Sequence, residues 1–152
     1  MADDVRTQAL DFLKTHNAGV IATASLDGQP HASAIYYVAD DKFNVYFMTL
    51  FNTRKFGFLK GNPKVAFTVG TADTPQTLQI EGTAEELKQE EDVHAHIADL
   101  VQALTSNTRY YAPITQLPRS ESVIFWVRPT WVRWADYTAG KAGENVLTEI
   151  PL

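Results

Sequence analysis

Thr53, Arg54 and Lys55 are the residues whose types and spacing most directly suggest chemistry in this chain. They follow a strand-like run, Val45–Leu50, and open a short helical run over 53–60 that Gly61-Asn62-Pro63 stops. The first turn of a helix exposes N–H groups without intrahelical partners and carries partial positive charge. A cation there is disfavoured, by about 0.3–1 kcal/mol at an exposed end. The pair makes sense if an anion sits against it, held by the helix N-terminus, the Thr53 hydroxyl and both side chains. Phosphate has the charge and the acceptors for that place. The alternative is a tolerated pair of surface cations on a poorly optimised helix. On these three residues both readings stand.

Other candidates are weaker. His31, Ser33, Ile35 and Tyr37 alternate on one face of a strand, and Ala32, Ala34, Tyr36 and Val38 on the other. The first face, with its small polar groups, either meets a ligand inside a barrel or is a solvated outer surface. Trp126, Trp131 and Trp134 crowd together with Arg128 and Arg133 near the end of the chain. Such residues suit interfaces and flat aromatic ligands, and equally suit core and rim packing. His94 and His96, two apart on a helix, point to different sides and cannot chelate one ion together, so they are read as surface histidines. The acidic residues Glu85-Glu86 and Glu90-Glu91-Asp92 surround a helix start, where negative charge is favoured. Glycine-rich nucleotide loops and the common hydrolase and metalloprotease motifs are absent.

Composition narrows the classes. The 152 residues, 45% apolar, predict one domain over 1–152 with an ordinary core. With 13 Lys and Arg against 18 Asp and Glu, the net charge is −5, and no basic cluster is dense enough for nucleic acid. The absence of cysteine excludes disulfides, thiolate metal sites and a cysteine nucleophile. No apolar run reaches membrane-spanning length, and the acidic start MADDVRTQAL lacks the apolar stretch of a secretory leader. A soluble cytoplasmic protein is expected.

The elements that must position these residues can be read from periodicity. Val5, Ala9, Phe12 and Leu13 predict a helix over 3–16, and Ala18–Ser25 a strand buried on both faces. Asp27-Gly28 turns the chain into a second strand, Pro30–Val38, and Val45–Leu50 is the third. Lys64–Gly70 and Thr77–Leu87 are the fourth and fifth. Val93, Ile97, Leu100, Val101 and Leu104 predict a second long helix over 89–104, followed by an irregular segment over 105–120. Two last strands, 121–128 and 130–137, are expected to hinge at Pro129. The expected class is mainly β (α+β): a six- to seven-stranded antiparallel barrel with flanking helices.

The ordered series Ile21-Ala22-Thr23, Asp27-Gly28-Gln29-Pro30-His31-Ala32-Ser33, Phe47-Met48-Thr49, Thr53-Arg54-Lys55, Asn62-Pro63-Lys64-Val65 and Leu78-Gln79-Ile80-Glu81-Gly82-Thr83-Ala84 resembles the pyridoxamine 5'-phosphate oxidase-like, FMN-binding split-barrel family. The likeness covers about residues 5–87 closely and the final strands loosely. It implies a split barrel that forms a homodimer, with FMN in clefts between the subunits. By position, Arg54 and Lys55 match the pair that binds the FMN phosphate, with Thr53 beside them. Met48 and Thr49 match residues lining the flavin, and Ser33 to Val38, with Ser33, Ala34, Ile35 and Tyr36 as its cofactor-binding residues, match the segment along the isoalloxazine. Thr77 or Gln79 matches a polar group near the phosphate and ribityl chain. Trp131 and Arg133 match a contribution from the other subunit.

Departures from the family pattern bear on function. Ser33 and Val38 stand where the oxidases proper carry basic residues, and the end of the chain lacks their Arg-Leu-His segment. The resemblance therefore implies a flavin-dependent oxidoreductase whose substrate is not vitamin B6. Relatives of the fold also bind deazaflavin F420 or haem, so a non-catalytic carrier of FMN, F420 or haem is the alternative. Tyr36, Tyr37 and His31 are acid–base candidates by proximity to the expected cleft alone.

Overall fold

The computed structural model describes residues 2–70, 75–88, 99–100, 102, 121–138 and 146–152. An amphipathic helix, α1 (Ala2–Thr15), leads into strands β1 (Ala18–Ala24), β2 (Pro30–Ala39) and β3 (Val45–Leu50). A short helix α2 (Arg54–Gly61) follows, then β4 (Lys64–Val69), β5 (Gln76–Glu86), β6 (Ser122–Asp136) and β7 (Leu147–Glu149). The sheet order is β3-β2-β1-β4-β5-β6-β7, and β3 also pairs with β6, which closes six antiparallel strands into a barrel with β7 added outside the ring. Closure removes the sheet edges that a small all-antiparallel domain would otherwise expose. The expected mainly-β barrel is the observed one.

Alternation fills the interior. Ile21, Ile35, Tyr37, Val45, Phe47, Phe67, Ile80, Phe125 and Val127 form the core from the inward face of each strand. α1 packs Ala9, Phe12 and Leu13 against this core, with Phe12 edge-on to Trp134 at 5.1 Å. The Tyr37 hydroxyl donates to the Leu13 carbonyl at 2.7 Å, and burial pushes this phenol well above its ordinary pKa. Tyr37 is thus a buried strut and drops out as an acid–base candidate. Gly28, at φ 91°, makes the turn between β1 and β2 that Asp27-Gly28 announced.

Three expectations need correction or restriction. β1 is buried on one face only: Ile21 and Thr23 point inward, while Ala18 and Val20 are exposed. The outer positions carry small apolar residues that are left exposed among the described residues. The two last strands are one continuous strand, β6, and Pro129 does not break it. β3 pairs with β6 only as far as Val127 and β7 only from Arg133, so the missing N–H of Pro129 falls between its two edge partners. Across from Pro129 lies Gly82, where a Cβ would come within 2.1 Å of the Arg128 carbonyl oxygen, so only glycine admits this approach. β7 is new: its three residues are all exposed and too short to show a period. Of the helix expected over 89–104, Asp99, Leu100 and Gln102 are described and helical, with Leu100 buried in a cluster with Tyr46 and Ile124. His94, His96, the Glu90-Glu91-Asp92 run and the irregular segment over 105–120 lie outside the described residues.

Candidate functional site

Thr53 starts α2. Its backbone is extended (φ −87°, ψ 151°), and its Oγ1 accepts a hydrogen bond from the Phe56 N–H at 3.2 Å, as an N-cap does. The same hydroxyl donates to the Leu50 carbonyl at 3.0 Å and lies 2.9 Å from the Thr49 Oγ1. A hydroxyl has one proton, so Thr49 is the donor in that last contact. Thr49 itself is buried at the end of β3. The Thr53 hydroxyl, expected to meet an anion, is therefore spent on capping in this structure. It places the first turn of α2, and the N–H groups of that turn that no cap reaches remain available.

Arg54 and Lys55 occupy the first helical positions, and no acidic residue shares the first turn. Arg54 is exposed. Lys55 is 9% exposed, and its Nζ donates to the Ser33 Oγ at 3.3 Å. Among the described residues it has no carboxylate partner, and burial lowers its pKa below the ordinary lysine value. A buried ammonium with only a hydroxyl for company is an expensive arrangement that an anion would relieve.

The remaining sequence-predicted residues divide by strand alternation. Ser33 and Ile35 point into the barrel, Ser33 to Lys55 and Ile35 to the core, whereas Ala34 and Tyr36 lie on the outer face. Thr49 points inward, and Met48 packs on the opposite face beside the Tyr46–Ile124 cluster. Thr77 and Gln79 are on the outer face of β5, in register with Ala135 and Arg133 of β6. The structure thus brings Ser33, Thr49, Thr53 and Lys55 to one rim of the barrel. Gln79, Trp131 and Arg133 gather separately, on the outer face.

That second group lines an open groove of about 540 Å3, with Val20, Ala22 and Ala66 as its floor. The Arg133 Nη2 donates to the Gln79 Oε1 at 2.8 Å, and its guanidinium lies over the Trp131 ring at 5.2 Å. The Arg133 Nε is buried with no partner among the described residues. A bulge creates this arrangement. Glu81 pairs with Trp131 and Gly82 with Pro129, leaving Thr130 as the extra residue of β6. Without it, strict alternation from Trp126 would turn Trp131 inward. With it, Trp126, Trp131 and Arg133 all face out, and Trp134 enters the core. The groove floor was missed from sequence, although small residues alternating with Ile21 and Phe67 were its visible sign.

A closed antiparallel barrel with a cationic rim at the start of α2 and an aromatic groove on its outer wall is a split-barrel domain. The chain belongs to the pyridoxamine 5'-phosphate oxidase family, whose model matches residues 5–135, and this family includes oxidoreductases. A pyridoxine/pyridoxamine 5'-phosphate oxidase of Rubrobacter xylanophilus is 33% identical over 75 residues, which are 49% of this chain and 35% of that protein. The match thus spans about a third of that relative's length. A conserved hypothetical protein of Mycobacterium tuberculosis superposes with a TM-score of 0.70 at 24% identity, over 91% of each chain. An F420 reductase superposes with a TM-score of 0.62 at 25% identity, over 80% of this chain and 93% of its own. Among the described residues, no helix is long and apolar enough to cross a membrane.

Proposed function

We propose that this protein is an FMN-dependent oxidoreductase that works as a cytoplasmic homodimer, with FMN at the subunit interface. Lys55 carries the reading: a buried ammonium beside a helix N-terminus, flanked by Arg54 and without a carboxylate partner among the described residues. A phosphate supplies the missing charge and accepts from the first turn of α2. Arg54 and Lys55 hold it, and Thr49 and Thr53 fix the turn that presents it. Ala34, Ile35, Tyr36 and Met48 flank the ring side, and Thr77 or Gln79 the ribityl side, as the family resemblance implies, while Ser33, through its contact with Lys55, stands at the phosphate end. The flavin, once bound, supplies hydride chemistry; the protein binds it, orients it and keeps water out.

The outer face supports the dimer. Ala18, Val20, Ala32, Ala34 and Ala66 are exposed there, and together they make a flat apolar surface beside the groove. A second copy covering that face would bring Trp131 and Arg133 to its partner's cofactor, with the free Arg133 Nε as a ready donor. Oxidation of pyridoxamine 5'-phosphate is not part of the proposal. It needs a second phosphate pocket, for which the cations are Arg109, Arg119, Arg128 and Arg133: Arg128 is paired with Glu85 and Arg133 contacts Gln79 and Trp131, while Arg109 and Arg119 lie outside the described residues.

The likeness to an F420 reductase favours one alternative, the same cationic rim taking the phosphate of deazaflavin; a carrier that binds its cofactor without turnover is a second. The absorption spectrum of the purified protein separates these readings. Flavin bands that bleach with NADH or NADPH are expected. A Soret band would assign haem instead, flavin bands that never bleach would indicate a carrier, and no chromophore with no uptake of FMN would refute the proposal.

A further inference from the structure

We propose that Ser33 is a positioning residue for the Lys55 ammonium, and that the two side chains together make this site select phosphorylated over unphosphorylated flavin. The proposal rests on the FMN reading above and deepens it. Ser33 lies on the inner face of β2 opposite Ile21, while its neighbours Ala32 and Ala34 are exposed on the outer face. Lys55 reaches it from α2, 22 residues along the chain, and the 3.3 Å contact is the one hydrogen bond its side chain makes among the described residues.

Donor counting defines what the pair can hold. An ammonium has three N–H donors, and one is spent on the Ser33 oxygen. The Ser33 hydroxyl accepts there, and its own proton has no partner among the described residues. The pair therefore offers positive charge and surplus donors, which suits the acceptor-only oxygens of a phosphate. A lysine stem is flexible, and fixing it at the moment of binding costs entropy unless it is fixed beforehand. Ser33 does that fixing from a rigid strand. The family resemblance aligns Ser33 with the segment along the flavin ring. The observed contact turns its side chain toward the phosphate end instead.

Calorimetric titration of apoprotein with FMN and with riboflavin, for wild type, Ser33→Ala and Ser33→Thr, tests this. Wild type is expected to prefer FMN strongly. Ser33→Ala should weaken FMN about tenfold, because the lysine stem must then be fixed at the moment of binding, and leave riboflavin unchanged. Ser33→Thr, which keeps the hydroxyl, should restore the preference. An unchanged FMN-to-riboflavin ratio in Ser33→Ala overturns the positioning role and leaves the FMN reading intact. Loss of riboflavin binding along with FMN would make the role of Ser33 merely structural and also overturns it. A wild type that does not distinguish the two flavins overturns the FMN reading, and this proposal with it.

Discussion

Lys55 is a buried cation with no carboxylate partner among the described residues. Burial lowers its pKa, so it gives up its proton more easily than an exposed lysine. The sign of the consequence follows from linkage. The unfolded chain, with the ordinary lysine value of 10.5, binds the proton over the pH window above the lowered folded value, so this residue adds stability to the empty protein as pH rises through that window. Phosphate binding has the opposite sign, because it needs the charged form. FMN affinity should therefore fall on the alkaline side, beginning below the ordinary lysine range, while riboflavin affinity shows no such fall. In a Lys55→Met variant the difference between the two pH profiles should vanish. Fluorescence titrations across pH check this, and parallel profiles for FMN and riboflavin in wild type would contradict it. The sequence named Arg54 and Lys55 because their charge opposes the helix dipole. It could not show that Ser33, a long-range neighbour on another element, is what Lys55 touches.

At the scale of elements, two glycines make opposite predictions. Gly82→Ala would press a methyl group into the Arg128 carbonyl, at a point where backbone meets backbone. It should destabilise the protein by about 2–4 kcal/mol and disturb the outward turn of Trp131, as read by denaturant unfolding and tryptophan fluorescence. Gly57, within α2, has open space where its Cβ would lie. Gly57→Ala should stabilise by about 0.5–1 kcal/mol through helix propensity alone. Equal effects of the two changes would show that the β5–β6 crossing is not as tight as described. The strands β1 to β5 were legible because each carries an alternating or continuous apolar run bounded by turn residues. β6 was misread at Pro129 because a proline inside a strand is permitted where an edge lacks a partner, and partners are set by topology. The bulge at Thr130 left no local mark, so the side on which Trp131 emerges was not readable.

For the whole molecule, the proposed dimer joins two clusters that one chain keeps apart: the rim at α2 and the groove around Trp131 and Arg133. A dimer that shares its cofactor makes association and FMN binding thermodynamically linked, each strengthening the other. Sedimentation across a dilution series should show tighter dimers with FMN than without, and a monomer that binds FMN tightly would contradict the shared site. Pyridoxal-phosphate formation from pyridoxamine 5'-phosphate under air should be little or none in FMN-saturated protein, with a true oxidase as control. Turnover within the usual enzyme range of about 1–10³ per second would overturn the argument from the engaged arginines. The barrel itself was foreseeable from short strands and tight turns. Its apolar outer face was not, since a β1 buried on both faces and a β1 with one apolar face exposed read alike in sequence.

The central claim is that Arg54 and Lys55 hold a phosphate. Its most direct test is the FMN affinity of the Arg54→Ala/Lys55→Ala double variant against wild type, with circular dichroism confirming an intact fold. Two lost charge-assisted contacts of about 1.5–3 kcal/mol each predict a loss of at least about a hundredfold. An unchanged affinity in a folded double variant would contradict the account.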